Sequence, residues 1–267
     1  MRPPTRSWSD LGRAAGHALF RCRDVLVPLA VVLLVIGARR DDFLAPPALD
    51  RWLDALGALA IAAGLAIRAL VMATSAIRRS GVHRRVVAPT LFDTGPYAWC
   101  RNPLYLANAT ILIGLTLLFD SRWMVGLALP AALLGIRSIV AAEERVLLAT
   151  FGDRYRDYCR RVPRFLPRPP SPSGAAPAYD WRRALRKEHG TAFAAVSVAL
   201  AFAAAEDAAR LGRAAWHWRE PMWLGTWLLA AALWAAVRIW KHAPSADLPI
   251  APHPAAPPAS AVTGGIV

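Results

Sequence analysis

The sequence predicts an all-α, polytopic membrane protein with about six transmembrane helices and both termini cytosolic. Three observations predict it: the composition, six apolar stretches of near-spanning length, and a lopsided distribution of basic residues. Hydrophobic side chains make up 56% of the 267 residues and charged ones 19%, richer in apolar and poorer in charged residues than an average soluble domain. The formal net charge of +14 would by itself also fit a nucleic-acid partner or an acidic membrane surface, so its placement along the chain decides.

A helix that crosses a bilayer takes about 20 mainly apolar residues. The stretches run approximately from Leu19 to Ala38, Leu53 to Thr74, Leu104 to Phe119, Trp123 to Ala142, Thr191 to Ala205 and Met222 to Trp240. The third and fifth are short, which leaves a tilted, re-entrant or partly inserted helix open for each. Met1 to Asp24 holds five arginines ahead of the apolar Val25 to Ala38, an order that a signal peptide shares. Arg39, Arg40, Asp41 and Asp42 follow without a cleavage site, so an uncleaved first helix is expected.

Basic connections stay in the cytoplasm. With both termini cytosolic, the inside segments hold 5 Lys and Arg before the first helix, 5 in residues 75–103, 11 in 143–190 and 2 at the end, 23 in all. The outside connections hold 7, and Arg68 and Arg137 fall inside helices. This split explains most of the basic charge as topology and contact with anionic lipid, with no nucleic acid. Insertion of an arginine costs about 2.5 to 3.5 kcal/mol, so Arg68 and Arg137 are expected to face the protein interior or a water-filled cavity.

The domain organisation follows. Residues 1–50 are the N-terminal segment with the first helix, and 51–168 form a membrane core. The Pro/Ser/Gly-rich LPRPPSPSGAAPA of residues 166–178 cannot pack and reads as a linker over 169–180. A basic amphipathic approach from Trp181 to Lys187 leads into a two-helix hairpin over 181–241. The Pro- and Ala-rich tail, 242–267, has little to bury and is expected to be disordered. Cys22, Cys100 and Cys159 are odd in number and lack metal-ligand spacing, so neither a disulfide framework nor a metal site is expected.

Two windows could carry chemistry. In Asp93-Thr94-Gly95-Pro96-Tyr97-Ala98-Trp99-Cys100-Arg101-Asn102-Pro103-Leu104-Tyr105-Leu106, Gly-Pro forces a turn. Pro103 fixes a helix start, where its missing amide hydrogen costs nothing. Arg101 and Asn102 are thereby held at the cytosolic end of that helix. A snorkelling arginine with interfacial Tyr97, Trp99 and Tyr105 reads the same way. In the second window Glu143 and Glu144 stand at the mouth of a membrane helix, in a loop otherwise dominated by arginine. Phe151-Gly152, Tyr155, Tyr158 and Val162-Pro163-Arg164 follow. Tyr155, Tyr158 and Val162 make one apolar helical face, as an amphipathic helix lying on the membrane would. The acidic pair fits charge balance or cation binding equally.

Together the windows resemble the isoprenylcysteine carboxyl methyltransferase and phospholipid methyltransferase families. Those families show a Gly-Pro-Tyr turn, an Arg-His-Pro-x-Tyr or Arg-Asn-Pro-x-Tyr element, a hydrophobic hairpin and Glu-Glu. A Phe-Gly-x-x-Tyr-x-x-Tyr run ending in Val-Pro-Arg closes the pattern. The resemblance covers roughly Leu53 to Pro167. Asn102 departs from the common histidine and Ala107 from a common glycine. Asn hydrogen-bonds but does not titrate, which removes any acid-base role there.

The resemblance implies S-adenosylmethionine as cofactor, bound by Gly95, Pro96, Tyr97, Arg101, Asn102, Pro103, Tyr105, Leu106, Glu143 and Glu144, with Glu144, Arg164 and Arg101 as catalytic residues. It implies Arg101 for the cofactor carboxylate, Glu143 or Glu144 for its cationic part, and Tyr97 or Tyr105 against adenine or sulfonium. The acceptor is expected to be a membrane lipid or a hydrophobic small molecule. Ala- and Arg-rich usage points to a GC-rich bacterial genome and hence to the inner membrane, with the site facing the cytosol. Membrane steroid and sterol reductases share an Arg-x-Pro-x-Tyr element and use NADPH, but Gly-Pro-Tyr with Glu-Glu separates this sequence from them. A non-catalytic membrane protein that keeps the fold is the third reading.

Overall fold

A computed structural model describes residues 46–74, 91–168 and 179–242. The first apolar stretch, the arginines of residues 75–90, Cys22 and the tail lie outside them. Among the described residues every element is helical: α1 (Pro47–Ala73), the single turn α2 (Pro96–Trp99), α3 (Pro103–Leu118), a π-helical segment (Met124–Ala128) running into α4 (Leu129–Phe151), α5 (Asp153–Arg161) and α6 (Trp181–His242). Four helical spans are long and apolar enough to cross a membrane: Leu49–Ala73, Met124–Phe151, Trp181–Arg210 and Pro221–Lys241. Pro103–Leu118 is apolar but shorter.

Proline and glycine set the boundaries. Prolines occupy the first turns of α1, α2, α3 and α4, where no amide hydrogen is needed and φ is already helical. Gly152 adopts φ of 53° between α4 and α5, a left-handed conformation that a side chain resists. It turns the chain sharply, so α5 leaves the line of α4.

α1 and α3 approach closely because their contact is built from small residues. A Cβ on Gly57 would lie 2.7 Å from the carbonyl oxygen of Gly114, and one on Gly114 would lie 2.6 Å from that of Gly57. One helical stripe further along, a Cβ on Gly64 would lie 2.8 Å from the Ala107 oxygen. Ile61 and Ile111 join Ala195 of α6 in one apolar cluster, and Phe119 and Met124 join Phe202 in another.

The helical assignment of α6 covers 62 residues, which as a straight rod would extend about 93 Å. Contacts show instead that its two ends lie side by side. The Arg186 guanidinium lies 5.1 Å from the Trp240 ring centroid, the Phe193 and Trp234 rings are 5.2 Å apart, and Trp223 Nε1 donates to Asp207 at 3.1 Å. An inner arm, Trp181–Arg210, therefore runs antiparallel to an outer arm, Pro221–Lys241. The stretch from Trp181 to Lys187, expected as an approach to the membrane, is itself the first two turns of the inner arm. Asp180 caps it by accepting from the Arg183 amide at 2.9 Å, and its own amide donates to the Ala73 carbonyl at 2.7 Å.

Ion pairs fasten the bundle at two depths. Arg68 of α1 donates to Glu188 of the inner arm at 2.7 and 3.2 Å and to Asn108 of α3 at 2.5 Å, which places its charge inside the protein, as expected. At the opposite end, Arg210 meets Glu206 at 2.6 Å and both Asp50 and Asp120 at 3.2 Å. The carboxylates of Asp50, Asp54 and Glu206 lie within 4.8 Å of one another there, and Arg210 supplies their counter-charge. Arg137 is exposed in the middle of α4, which packs lightly against the other described elements.

Candidate functional site

The two windows meet where α3 begins and α4 ends. Gly95, with φ of 60°, starts the α2 turn, and Pro96 is buried beneath it. Its carbonyl accepts from the Ala98 amide at 2.9 Å. The chain then extends through Cys100 to Asn102, whose carbonyl accepts from the Leu106 amide at 2.9 Å and opens α3 behind the buried Pro103. From the other side, the segment after α5 runs alongside. The Arg101 amide donates to the Pro163 carbonyl at 2.8 Å and the Arg168 amide to the Trp99 carbonyl at 3.0 Å.

Glu144 is the centre. Expected in a loop, it and Glu143 belong to α4 itself, which continues nine residues beyond Ala142. Glu144 is 8% exposed and Asn102 9%. Its Oε1 receives Arg101 Nη1 at 3.1 Å and Asn102 Nδ2 at 3.3 Å, while Oε2 receives Arg164 Nε at 2.9 Å and, closer still, Arg164 Nη2. Asn102 Nδ2 also reaches the Arg164 carbonyl at 3.2 Å. The asparagine therefore ties the helix start to the closing segment through its amide alone. Beside this network, the Tyr105 hydroxyl donates to Glu143 Oε1 at 2.7 Å.

Arg101 also donates from Nη1 to Cys159 Sγ at 2.9 Å, whereas its Nε is buried and has no acceptor among the described residues. A buried donor without a partner costs about 1 to 3 kcal/mol. That makes Nε the natural contact for an acceptor oxygen brought by a ligand.

α5 closes one side of the site. Tyr155, Tyr158, Val162 and Leu91 form a buried cluster packed by Leu147, Phe151 and Cys159, which accounts for the apolar face read from the sequence. The Tyr158 hydroxyl donates to the Tyr97 carbonyl at 2.8 Å. Burial pushes the Tyr97 phenol up to about 12, with the charge of Glu143 adding to it. Burial also raises Tyr155 and Tyr158, and it raises the Cys100 thiol. These groups stay protonated near neutrality, so none is a base. Cys100 and Cys159 are free thiols.

Ten of the eleven residues expected at the site are gathered here by contact or chain adjacency: Gly95, Pro96, Tyr97, Arg101, Asn102, Pro103, Tyr105, Glu143, Glu144 and Arg164. The eleventh, Leu106, contributes a backbone amide to the start of α3. Sequence reasoning missed Cys159 as a partner of Arg101 and the Pro163 carbonyl as the strut beneath it. Nothing in their spacing marks either one.

A helical membrane protein with a buried carboxylate held between two arginines at one mouth fits the class of membrane methyltransferases. Residues 53–154 match the family model of phospholipid methyltransferase, so the resemblance read from the two windows holds. Relatives extend the same segment. The nickel-cobalt-cadmium resistance protein NccN of Alcaligenes xylosoxydans xylosoxydans is 28% identical over 54% of this chain and 62% of its own length. The cobalt-zinc-cadmium resistance protein CzcN of Cupriavidus metallidurans is 34% identical over 30% of this chain and 36% of its own. Protein-S-isoprenylcysteine O-methyltransferase of Rattus norvegicus is 30% identical over 43% of this chain and 42% of its own. The chain thus spans less than two thirds of each of these relatives. No solved structure matches it.

Proposed function

We propose that this protein is an integral-membrane methyltransferase that takes its methyl group from S-adenosylmethionine and delivers it to a lipid or small hydrophobic acceptor at the cytosolic face. The observation that carries the reading is the buried Arg101 Nε, a donor with no acceptor among the described residues, held against the Arg101, Glu144 and Arg164 network. The cofactor's carboxylate has the chemistry to meet that donor. Its sulfonium and ammonium call for a carboxylate, and its adenine for a flat apolar surface. The residues present fit all three.

When bound, S-adenosylmethionine supplies an electrophilic methyl group on a positively charged sulfur. The chain's own residues then divide the work. Arg101 binds the anionic end. Both oxygens of Glu144 are engaged by Arg101, Asn102 and Arg164, so Glu144 positions those groups, and Glu143, oriented by Tyr105, is the carboxylate for the cationic end. α5 and the Val162 to Arg168 segment exclude water. In-line transfer gains its rate mainly from alignment and desolvation, and a site at a helix mouth beside lipid provides both. A carboxylate acceptor would need no base and could be held by Arg164. An amine acceptor would hand its proton to Glu143. The 23 to 7 split of basic residues supports a cytosolic site.

The test is equilibrium binding of radiolabelled S-adenosylmethionine to the solubilised protein. Saturable binding that Arg101→Ala removes, while membrane insertion is kept, is expected. Saturable NADPH binding with no S-adenosylmethionine binding would move the protein to the reductase class, and binding of neither would make it non-catalytic. Comparing lipid extracts of deletion and overexpressing strains for the gain of one CH2 unit would then identify the acceptor.

A further inference from the structure

The cytosolic end of the α6 hairpin lies outside the methyltransferase-like segment and plays no part in the site. We propose that it is a binding surface for anionic phospholipid headgroups, built from Arg186, Arg238 and Lys241 on a framework of Trp234 and Trp240.

Two guanidiniums are pinned on aromatic rings of the outer arm, at successive levels of the hairpin. Arg186 of the inner arm lies over the Trp240 ring of the outer arm at 5.1 Å. Arg238 lies over Trp234 at 5.2 Å, and the other partner of that ring is Phe193 at 5.2 Å. Stacking on aromatic rings leaves the in-plane donors of arginine available for oxyanions. The Nε of Arg186 is buried and has no acceptor. Arg238 and Lys241 are exposed, as is Arg182 one turn before Arg186.

The described carboxylates at this end of the inner arm are committed elsewhere. Of the two carboxylates on this end of the inner arm, Glu188 is committed to Arg68 and Asp180 caps the helix. Residues 75–90 and 169–178, adjoining in sequence, contain no acidic residue and four arginines, and the tail beyond His242 contains only Asp247. A cluster of cations with aromatic rings at the foot of a lipid-facing hairpin has the composition of an anionic-headgroup site. The outer arm identifies the occupant as lipid, since Leu229, Leu233 and Ile239 are 62%, 61% and 72% exposed directly alongside. An acidic protein or a nucleic acid would meet those same cations across an apolar surface suited to acyl chains.

The experiment is native mass spectrometry of the purified full chain exchanged with phosphatidylglycerol or phosphatidylcholine. Retention of the anionic lipid in preference to the zwitterionic one is expected. Each charge near a membrane surface is worth about 1 kcal/mol, about fivefold, so R186Q/R238Q should reduce the preference by about 25-fold. R238Q/K241Q, which alters only exposed side chains, should reduce it comparably, and R186K/R238K should restore part of it. Absence of any preference in the wild type, its persistence in both glutamine variants, or an equal loss in R160Q/R161Q on the exposed face of α5 would overturn the proposal.

Discussion

Glu144→Gln keeps the shape of the side chain and removes one charge from the centre of the site, so its effect can be worked out from the geometry. The native group of Arg101, Arg164, Glu143 and Glu144 is formally balanced, and the variant carries one net positive charge. S-adenosylmethionine, with a sulfonium, an ammonium and a carboxylate, carries a net positive charge of its own, whereas its demethylated thioether product carries none. At an effective dielectric of about 20, two unit charges about 6 Å apart interact by about 3 kcal/mol, a factor of about 100 in affinity. The Arg164 side chain is 37% exposed while the Glu144 and Arg101 side chains are 10% and 17%, and solvent screening on that side brings the expected loss towards tenfold. Affinity for the cofactor should thus fall about 10- to 100-fold, and affinity for the product should change much less. Titration calorimetry of the solubilised variant with both compounds reads the ratio. Equal losses would show that Glu144 acts only by holding the arginines in place, and unchanged affinity for both would refute its place in the site.

Arg210→Ala should lower stability by about 3 to 5 kcal/mol, because it strands Asp50, Asp120 and Glu206 without their shared partner. Thermal unfolding in mild detergent checks this, with cofactor affinity unchanged because the network lies at the far end of the bundle. Gly114→Leu should separate α1 from α3 and abolish the folded monodisperse peak on size exclusion, whereas Gly135→Leu, with nothing within 4 Å of its Cβ position, should be tolerated. The buried tyrosines predict an alkaline limit. Raised folded-state values mean that the protonated phenols of Tyr97 and Tyr158 contribute stability in full below about 10, the unfolded value; the Tyr97 contribution is lost as pH rises through about 12, and that of Tyr158, raised further by burial, at still higher pH. Tyr158→Phe, which also removes the hydroxyl bond to the Tyr97 carbonyl, should flatten that limit in a pH series of unfolding midpoints.

Much of the site was legible because turn chemistry and charge fix it locally. Gly95-Pro96 and Asn102-Pro103 can do little other than start a turn and a helix, and an acidic pair among arginines attracts them whatever the tertiary detail. The helical register of Tyr155, Tyr158 and Val162 likewise required a buried face. The end of α4 was not legible. Hydropathy stops at Ala142, but the helix continues to Phe151 because its polar last turns are held by α5 and the arginines, contacts made by residues distant in sequence. The inner arm of α6 begins at Trp181 for a similar reason: Asp180 and the Ala73 carbonyl fix a start that the basic composition disguised. Arg210, counted as a loop charge, belongs to a buried network whose carboxylates come from α1, from α6 and from the connection that follows α3. Arg68 and Arg137 look alike in the sequence, and only the tertiary packing brings Glu188 and Asn108 to Arg68.

Glu144 rides on a helix that crosses the membrane, while Arg101, Asn102 and Arg164 are anchored to other parts of the chain. From Met124 to Ala142 the apolar part of that helix has 19 residues, about 28 Å against a hydrocarbon layer of about 30 Å, and the helix packs lightly on its described neighbours. A span that just matches its layer adjusts when the layer is thinned or thickened, and each adjustment displaces the Glu144 carboxylate relative to donors anchored elsewhere in the chain. Bilayer thickness thereby becomes a mechanical input to the site, and activity assayed in lipids of different chain length should report it.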